Sequence, residues 1–262
     1  MQRKHAAKYV LVAMGLVWPA LAQQPAQSSP ATATPKPDAA AQQAAELAAA
    51  RTKLNDWPQL GRYRAENASL AAPTAGEQRV VFYGDSITDA WGRRPNTGEF
   101  FPGRPYVNRG ISGQTTAQMV VRFEQDVVRL QPAVVLILAG TNDVAGNTGP
   151  MTPEMTMDNF RAMVAIAKQN HIRVVLASIL PASAYPWKPG VQPAEPIREL
   201  NRQLQALCAE QGLVYVDYYD AMTNAAGGLD KDLASDGVHP TAKGYAIMAP
   251  LAEKGIAAAL QR

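Results

Sequence analysis

The stretch that says most about this chain's fold is Val80-Val81-Phe82-Tyr83-Gly84-Asp85-Ser86, in which four apolar residues run into a glycine and two polar residues. A short apolar run of this kind predicts a buried strand. Gly84 permits a sharp turn at its end. Ser86 then lies at the carboxyl end of a strand, where ligands bind in open α/β sheets. A serine hydroxyl there can act as a nucleophile if a second group takes its proton.

From Arg79 onward the sequence alternates predicted strands and helices. Strands are predicted at Arg79–Tyr83, Tyr106–Asn108, Val134–Ala139, Arg173–Ser178 and Leu213–Asp217. Helices are predicted at Thr115–Leu130, Thr156–Asn170, Pro196–Gln211 and Thr241–Leu260. Continuous apolar runs such as residues 134–138 are typical of parallel strands buried on both faces. With right-handed crossovers, this pattern predicts an α/β fold, a three-layer α/β/α sandwich around about five parallel strands.

Composition and charge indicate a globular chain with one large domain. Of its 262 residues, 47% are hydrophobic, which suffices for a sizeable core. The net charge of +3 arises in residues 1–22, which hold three of the 25 basic residues and none of the 22 acidic ones. The rest of the chain is formally neutral, so no basic field predicts nucleic acid as a partner.

The first 22 residues are typical of a secretory signal peptide. Arg3, Lys4 and Lys8 form a positive region, and an apolar run follows at residues 9–18. The sequence Ala20-Leu21-Ala22 fits a small-residue cleavage site, so cleavage after Ala22 and a periplasmic or secreted protein are expected. The alternative is an uncleaved anchor. Because the apolar run is about half the length of a membrane-spanning helix, no stable membrane insertion is expected after cleavage.

Three further segments are predicted after the signal peptide. Residues 23–40 are rich in Pro, Ala and Gln and predict a flexible linker. Residues 41–76 predict an Ala-rich helix, 41–54, followed by an irregular extension. Residues 77–262 then form the expected catalytic domain. Cys208 is the only cysteine, and no CxxC, HExxH or paired-histidine motif occurs, so no metal or other cofactor is predicted.

Four polar segments fall at the carboxyl ends of predicted strands or in nearby loops. They are Gly84-Asp85-Ser86, Gly110-Ile111-Ser112-Gly113, Gly140-Thr141-Asn142-Asp143 and Asp236-Gly237-Val238-His239-Pro240. The carboxyl ends of parallel strands share one edge of the sheet, so these segments are expected to meet. In this order and at these spacings, the chain resembles the SGNH hydrolase superfamily, also called the GDSL esterase/lipase family, from about residue 79 to its C-terminus. The resemblance implies the flavodoxin-like fold of that superfamily.

The resemblance implies a role for each matching residue. Ser86 matches the nucleophile, His239 the general base and Asp236 the acid that orients the base. The oxyanion hole would comprise the backbone N–H groups of Ser86 and Gly113 and the side-chain amide of Asn142. Gly113 is the hardest of these to align, because Gly110 and Ser112 lie close by. Asp85 and Asp143 flank the motifs and are expected to support them through hydrogen bonds.

These roles agree with elementary chemistry. A serine hydroxyl is a poor nucleophile at neutral pH unless a base accepts its proton, and histidine titrates in the right range to accept and return it. A carboxylate fixes the tautomer of the imidazole and stabilises the imidazolium. Preorganised donors around a developing oxyanion each contribute about 3 kcal/mol.

Each motif residue also has a simpler explanation. Ser86 could be a helix N-cap, and Asn142 could cap the loop after its strand. His239 could be a surface residue in a turn. Asp217 and Asp220 also lie near a strand end and are the alternative orienting acids.

The block Gly110-Ile111-Ser112-Gly113-Gln114-Thr115-Thr116 resembles that of the platelet-activating-factor acetylhydrolase-like branch, which favours short acyl esters. The resemblance implies a secreted serine esterase for acetyl-type esters, with small-molecule or O-acetylated carbohydrate esters as partners. Trp91, in the segment Ala90–Arg94, and Tyr185 and Trp187, in a proline-rich loop, are candidate substrate-binding residues. Equally, Trp187 could only pin its own loop. An O-acyltransferase acting on polysaccharide, a lysophospholipase or lipase, and a non-catalytic binding module are the alternatives.

Overall fold

The computed structural model describes residues 39–262. The predicted signal peptide and all but the last two residues of the predicted linker therefore lie outside the described residues. The chain divides into two compact units, residues 1–45 and 46–262. The first unit is described only where helix α1 (Ala39–Asn55) begins. No helix between residues 39 and 262 has the length and apolar character needed to cross a membrane.

A five-stranded parallel sheet forms the centre of the second unit, as predicted. Its strands are β1 (Val80–Gly84), β2 (Tyr106–Gly110), β3 (Val134–Leu138), β4 (Arg173–Ala177) and β5 (Val214–Val216). Their order in the sheet is β2-β1-β3-β4-β5, and every pairing is parallel. The predicted strand ends are shifted by two residues at most. The chain reverses its direction of winding after β2, which puts the ends of β1 and β3 side by side.

Eight helices accompany the sheet in residues 46–262 besides the end of α1. Their bounds are α2 (Arg64–Ser69), α3 (Ser86–Ala90), α4 (Thr116–Asp126), α5 (Thr141–Val144), α6 (Pro153–Gln169), α7 (Ala194–Gln211), α8 (Tyr218–Met222) and α9 (Ala242–Leu260). The four long helices α4, α6, α7 and α9 were predicted, although α4 ends at Asp126 and only a 3₁₀ turn continues to Leu130. The short helices were not predicted, because one or two turns show no amphipathic period.

Two apolar cores lie on opposite faces of the sheet because side chains alternate along each strand. Val81 and Tyr83 of β1 face the core that α4, α6 and α7 cover. Val80 and Phe82 face the core that α8 and α9 cover. All five residues of β1 are buried, and so are all five of β3. The three-layer α/β/α sandwich is therefore confirmed.

The segment predicted to be irregular, Asn55–Gly76, contains helix α2 and packs closely against the sheet domain. Tyr63 is fully buried, and its hydroxyl donates to the carbonyl of Gly110 at the end of β2. The Arg109 guanidinium lies 4.6 Å from the centre of the Tyr63 ring. Asn67 donates to the Asp126 carboxylate at the end of α4. This segment is thus part of the folded unit that carries the candidate site.

Candidate active site

Ser86 is the first residue of helix α3, directly after the turn that ends β1. The N-cap of this helix is Asp85, whose carboxylate accepts from the backbone N–H of Ile87 at 3.0 Å. The simpler explanation of Ser86 as the cap is therefore wrong. In the first turn of a helix, a backbone N–H has no helical carbonyl to bond, so the N–H of Ser86 is available to another acceptor.

A line of hydrogen bonds runs from Ser86 to Asp236. Ser86 Oγ lies 2.8 Å from His239 Nε2, and His239 Nδ1 lies 2.6 Å from Asp236 Oδ2. Asp236 Oδ1 accepts from the backbone N–H groups of Val238 and His239, which closes a tight turn. The i, i+3 spacing in the sequence thus brings the imidazole and the carboxylate together, 153 residues beyond the serine.

The charge on Asp236 is stabilised by this turn. Partial burial would raise its pKa, but the hydrogen bonds from the His239 ring and from the N–H groups of His239 and Val238 outweigh that effect. The pKa of Asp236 is therefore held below its usual value. The alternative orienting acids are used elsewhere. Asp217 caps α8 by accepting from the N–H of Asp220, which lies within that helix.

The residues predicted as oxyanion donors line one cavity with Ser86 and His239. This cavity has a volume of about 260 Å³, and it is lined by Ser86, Arg94, Ser112, Gly113, Asn142, Asn147, Trp187 and His239. Gly113 has a φ of +80°, which favours glycine, and a Cβ atom there would meet nothing within 4 Å. Gly110 differs, because a Cβ there would lie 2.1 Å from the backbone N of Asp89. Gly110 thus allows β2 to approach α3, and Gly113 is the glycine that reaches the cavity.

Asn142 lies in the short helix α5 after β3, and its amide is fully engaged. Its Nδ2 donates to the carbonyl of Gln114 at 3.0 Å and lies 3.4 Å from Asp85 Oδ2. Its Oδ1 accepts from Asn147 Nδ2 at 2.7 Å. Asn142 therefore does more than cap its own loop, which was the simpler explanation.

Asn147 was not singled out from the sequence. Besides Asn142, its Nδ2 contacts the carbonyl of Gly113 at 3.3 Å, and its Oδ1 accepts from the Trp187 indole at 3.1 Å. Asn147 thus fixes which way the amide of Asn142 is turned. A lone asparagine after a glycine gives no sequence signal for this, since its partners are 5 to 40 residues away.

The two flanking aspartates are buried and accept hydrogen bonds, as expected for supporting residues. Burial raises the pKa of Asp85 to about 7, although the N–H of Ile87 opposes the shift. Burial also raises the pKa of Asp143, against hydrogen bonds from Thr116. The carboxylate of Asp143 accepts from the backbone N–H and hydroxyl of Thr116, so it secures the start of α4.

A buried arginine that the sequence did not reveal joins the first two motifs. Arg122 of α4 is fully buried and pairs with Asp126 at 3.1 Å. It also donates to the carbonyl of Gly84 at 3.0 Å and to the side chain of Gln114. Gly84 precedes the nucleophile turn and Gln114 follows Gly113. The guanidinium therefore ties together the two loops that hold Ser86 and Gly113.

The structure corrects two of the three predicted substrate-binding residues. Trp91 is buried in the second core, where its ring centre lies 4.7 Å from that of Tyr245. Tyr185 is also buried, with its hydroxyl 2.9 Å from Thr141 Oγ1 and its ring stacked on Trp187. Both are therefore packing residues. Aromatic residues beside a motif look alike in sequence whether they face the core or the cavity.

Trp187 is the one predicted aromatic residue that lines the cavity. It is 37% exposed, and its ring centre lies 5.9 Å from that of His239. Its ring stacks on Tyr185, so Trp187 pins its own loop, and a contact with substrate stays a prediction. Between residues 39 and 262, no group of three or more His, Cys, Asp or Glu side chains is arranged to hold a metal ion.

Comparison with known proteins identifies the family. The model for the GDSL-like lipase/acylhydrolase family matches residues 82–247. The chain belongs to this family. A solved structure of a GDSL-like lipase from Bacteroides thetaiotaomicron is 42% identical, with a TM-score of 0.73, over 77% of this chain and 98% of that one.

Two relatives are an acetylhydrolase subunit and an acetylxylan esterase. A platelet-activating factor acetylhydrolase IB subunit alpha1 from Homo sapiens is 27% identical over 177 residues, which cover 64% of this chain and 71% of the relative. An acetylxylan esterase from Geobacillus stearothermophilus is 28% identical over 201 residues, which cover 66% of this chain and 90% of the relative. The resemblance predicted from the four motifs is confirmed, and the GDSL-family chain is a carboxylic ester hydrolase.

Proposed function

We propose that this GDSL-family chain is a serine esterase that removes short, acetyl-type groups from O-acetylated carbohydrates. The observation that carries the proposal is the hydrogen-bonded line from Asp236 through His239 to Ser86, at the mouth of a small cavity. The line supplies a nucleophile, a base and an orienting carboxylate in the order that acyl transfer requires. The proposal includes export from the cytoplasm, which rests on residues 1–22 alone.

The first half of the reaction forms an acyl-enzyme. Ser86 Oγ attacks the ester carbonyl carbon while His239 Nε2 takes the hydroxyl proton, and the carbonyl oxygen becomes an oxyanion. That oxyanion accepts hydrogen bonds from the N–H groups of Ser86 and Gly113. Asn142 Nδ2 adds a third hydrogen bond when the N–H that lies toward Asp85 Oδ2, 3.4 Å away, turns to the oxyanion. As the intermediate collapses, the bond to the alcohol oxygen breaks and His239 returns the proton to that oxygen. The acyl group stays on Ser86.

The second half releases the acid. Water enters the cavity and gives its proton to His239 Nε2 as its oxygen bonds to the acyl carbon. The same donors stabilise the second oxyanion, and His239 then protonates Ser86 Oγ as the acyl–oxygen bond breaks. Asp236 stays ionised throughout, since its pKa is held low, and it stabilises each imidazolium.

The size and walls of the cavity support a short acyl group. A volume of about 260 Å³ suits a short acyl group and is small for a long fatty acyl chain. Trp187 and the His239 imidazole are the aromatic walls, and Arg94, hydrogen-bonded to Ser112 Oγ at 3.0 Å, gives the rim a positive group. A lysophospholipase or lipase is therefore less well supported than an acetylesterase.

Replacing the nucleophile tests the proposal. The Ser86→Ala variant is expected to lose at least about 10⁴-fold of kcat/KM toward p-nitrophenyl acetate, because no oxygen remains to form the acyl-enzyme. A fluorophosphonate probe is expected to label the unaltered chain at Ser86 and to leave the variant unlabelled. Ser69→Ala, at an exposed serine on α2, is the matched control and should retain full activity. Full activity in Ser86→Ala, with an unchanged circular dichroism spectrum, would refute the mechanism.

A further inference from the structure

A second and larger cavity opens beside the one that holds Ser86. Its volume is about 600 Å³, and three of its lining residues, Ser112, Gly113 and Asn147, also line the smaller cavity. The other lining residues are Asp56, Trp57, Gln59, Gln118 and Thr148. A ligand could thus occupy both cavities at once by passing over Gly113. The three residues from 56 to 59 precede the part of the chain that the family model matches, residues 82–247.

The walls of the larger cavity suit a hydroxylated ligand. They comprise one aromatic side chain, one glycine and six polar side chains, and none of the eight lining residues is aliphatic. A pyranose ring has a flat face of C–H groups and a rim of hydroxyls. The C–H face can stack on an aromatic ring, and the hydroxyls can form hydrogen bonds with amide, hydroxyl and carboxylate groups.

Hydrogen bonds hold the backbone around Trp57 in place, while the residue itself is 41% exposed. Three glutamines of the sheet domain donate to carbonyls around it. Gln118 Nε2 bonds the carbonyl of Trp57 at 2.6 Å, Gln114 Nε2 bonds that of Pro58 at 2.7 Å, and Gln125 Nε2 bonds that of Leu60 at 2.8 Å. We call these three bonds the glutamine clamp.

Asp56 fixes the same turn from the other side. Its two carboxylate oxygens accept from the N–H groups of Leu60 and Gly61 at 2.7 and 2.9 Å. The backbone beneath the exposed indole is thus preorganised, so little further ordering of this turn is needed when a ligand binds.

We propose that the larger cavity is a subsite for the sugar rings of the leaving alcohol, with Trp57 as the stacking platform. The inference rests on the proposed function, since it places an O-acetylated oligosaccharide across both cavities. Its acetyl group enters the smaller cavity at Ser86. The sugar carrying that ester lies near Gly113 and Asn147, and the neighbouring rings extend over Trp57. Specificity for an oligosaccharide over a small ester then comes from a segment outside the family match.

The kinetic test compares two substrates in one variant. Trp57→Ala is expected to lower the ratio of kcat/KM for acetylated xylotetraose to kcat/KM for p-nitrophenyl acetate by about tenfold, mainly through KM. Trp57→Phe keeps an aromatic face and should restore part of the ratio. Met155→Ala is the matched control, because Met155 is 51% exposed on α6 and outside both cavities. An unchanged ratio in Trp57→Ala would overturn the subsite.

A binding experiment separates the subsite from the chemistry. Isothermal titration of the Ser86→Ala variant with xylotetraose, cellotetraose and N,N′,N″,N‴-tetraacetylchitotetraose should detect binding of at least one of them. Adding Trp57→Ala should weaken that binding by about tenfold. If none of the three binds, the subsite is wrong even if Ser86 proves to be the nucleophile. If sugar binds and depends on Trp57 while Ser86→Ala retains esterase activity, the mechanism fails and the subsite stands.

Discussion

The two ends of the line from Ser86 to Asp236 lie in very different surroundings. Ser86 and Asp85 are buried at the end of a central strand, beneath contacts from β2, β3 and α4. The side chains of His239 and Asp236 are 29% and 40% exposed, and they lie in a turn before α9. The buried end takes its geometry from the sheet. The exposed end takes its geometry from three hydrogen bonds within four residues.

This difference predicts that stability and activity respond separately to substitutions at the two ends. A change at the exposed turn should affect the chemistry and leave the fold intact, because little apolar surface or buried charge depends on it. A substitution of a buried residue near Ser86 should mainly lower the free energy of unfolding, because it leaves polar groups without partners in the interior. Each prediction below tests one side of this contrast.

The largest effect is expected at the exposed end. Asp236→Asn keeps an oxygen for the N–H groups of Val238 and His239, but it removes the negative charge beside the imidazole and favours the wrong tautomer. A loss of about a thousandfold in kcat is expected with the free energy of unfolding unchanged within about 0.5 kcal/mol. Assays with p-nitrophenyl acetate measure kcat, and urea unfolding measures the free energy of unfolding.

Asp232→Asn is the control for that variant, since Asp232 lies in the same loop and pairs with Lys243 at 3.2 Å. It should keep kcat within about twofold. A large loss of stability in Asp236→Asn would show that the exposed turn supports the fold, which would break the contrast.

The next effect is expected beneath the buried end. Arg122→Met leaves the Asp126 carboxylate and the carbonyl of Gly84 without their buried partner. The free energy of unfolding is expected to fall by about 3–5 kcal/mol, as measured by urea titration. Arg129→Met removes the exposed pair with Glu124, 3.7 Å apart, and should cost less than about 1 kcal/mol. Equal losses in the two variants would contradict the role given to Arg122.

The smallest effect is a pH dependence at the buried end. The folded pKa of Asp85 is raised from 3.8 to about 7, so the folded chain binds a proton that the unfolded chain has released. Stability from this group is therefore fully present below about pH 4 and is lost as the pH rises to about 7. Asp85→Asn should reduce this fall in the free energy of unfolding. Asp158→Asn, at an exposed residue of α6, is the control. If the free energy of unfolding fell more steeply with pH in Asp85→Asn than in the unaltered chain, the raised pKa of Asp85 would be refuted.

The sheet was predictable because burial on both faces leaves a plain signal in sequence. The run Val134–Leu138 has no polar residue, and it forms β3 with all five residues buried. The placement of the first three motifs at one edge followed from the parallel strands that precede them. The turn with Asp236 and His239 follows no strand and comes between α8 and α9. The order of the strands agrees with the flavodoxin-like fold that the family resemblance implied, whereas the short helices α3, α5 and α8 were not predicted. Helices of four or five residues at strand ends carry no periodic pattern.

The residues that surround the motifs could not be predicted from local sequence. Asn147, Arg122 and Trp57 act through partners that are distant in the chain, and none lies in a recognisable motif. Trp91 follows the nucleophile motif and Tyr185 lies in a proline-rich loop, which is why both are predicted at the substrate. Their hydrophobic area draws them into the interior instead. Local sequence reports whether a residue can be buried, but the tertiary contacts decide which face it packs against.

The glutamine clamp has a consequence for how this protein could change its specificity. Gln114, Gln118 and Gln125 bond backbone carbonyls and do not contact the side chain at position 57 through these bonds. Almost any amino acid could therefore replace Trp57 while the turn keeps its place beside Gly113. The side chain at position 57 can thus change while the catalytic site beside it keeps its geometry. Libraries randomised at position 57 would explore new substrates with little cost in stability. Position 59 is less free, because Gln59 has a φ of +57°, which disfavours β-branched and bulky residues.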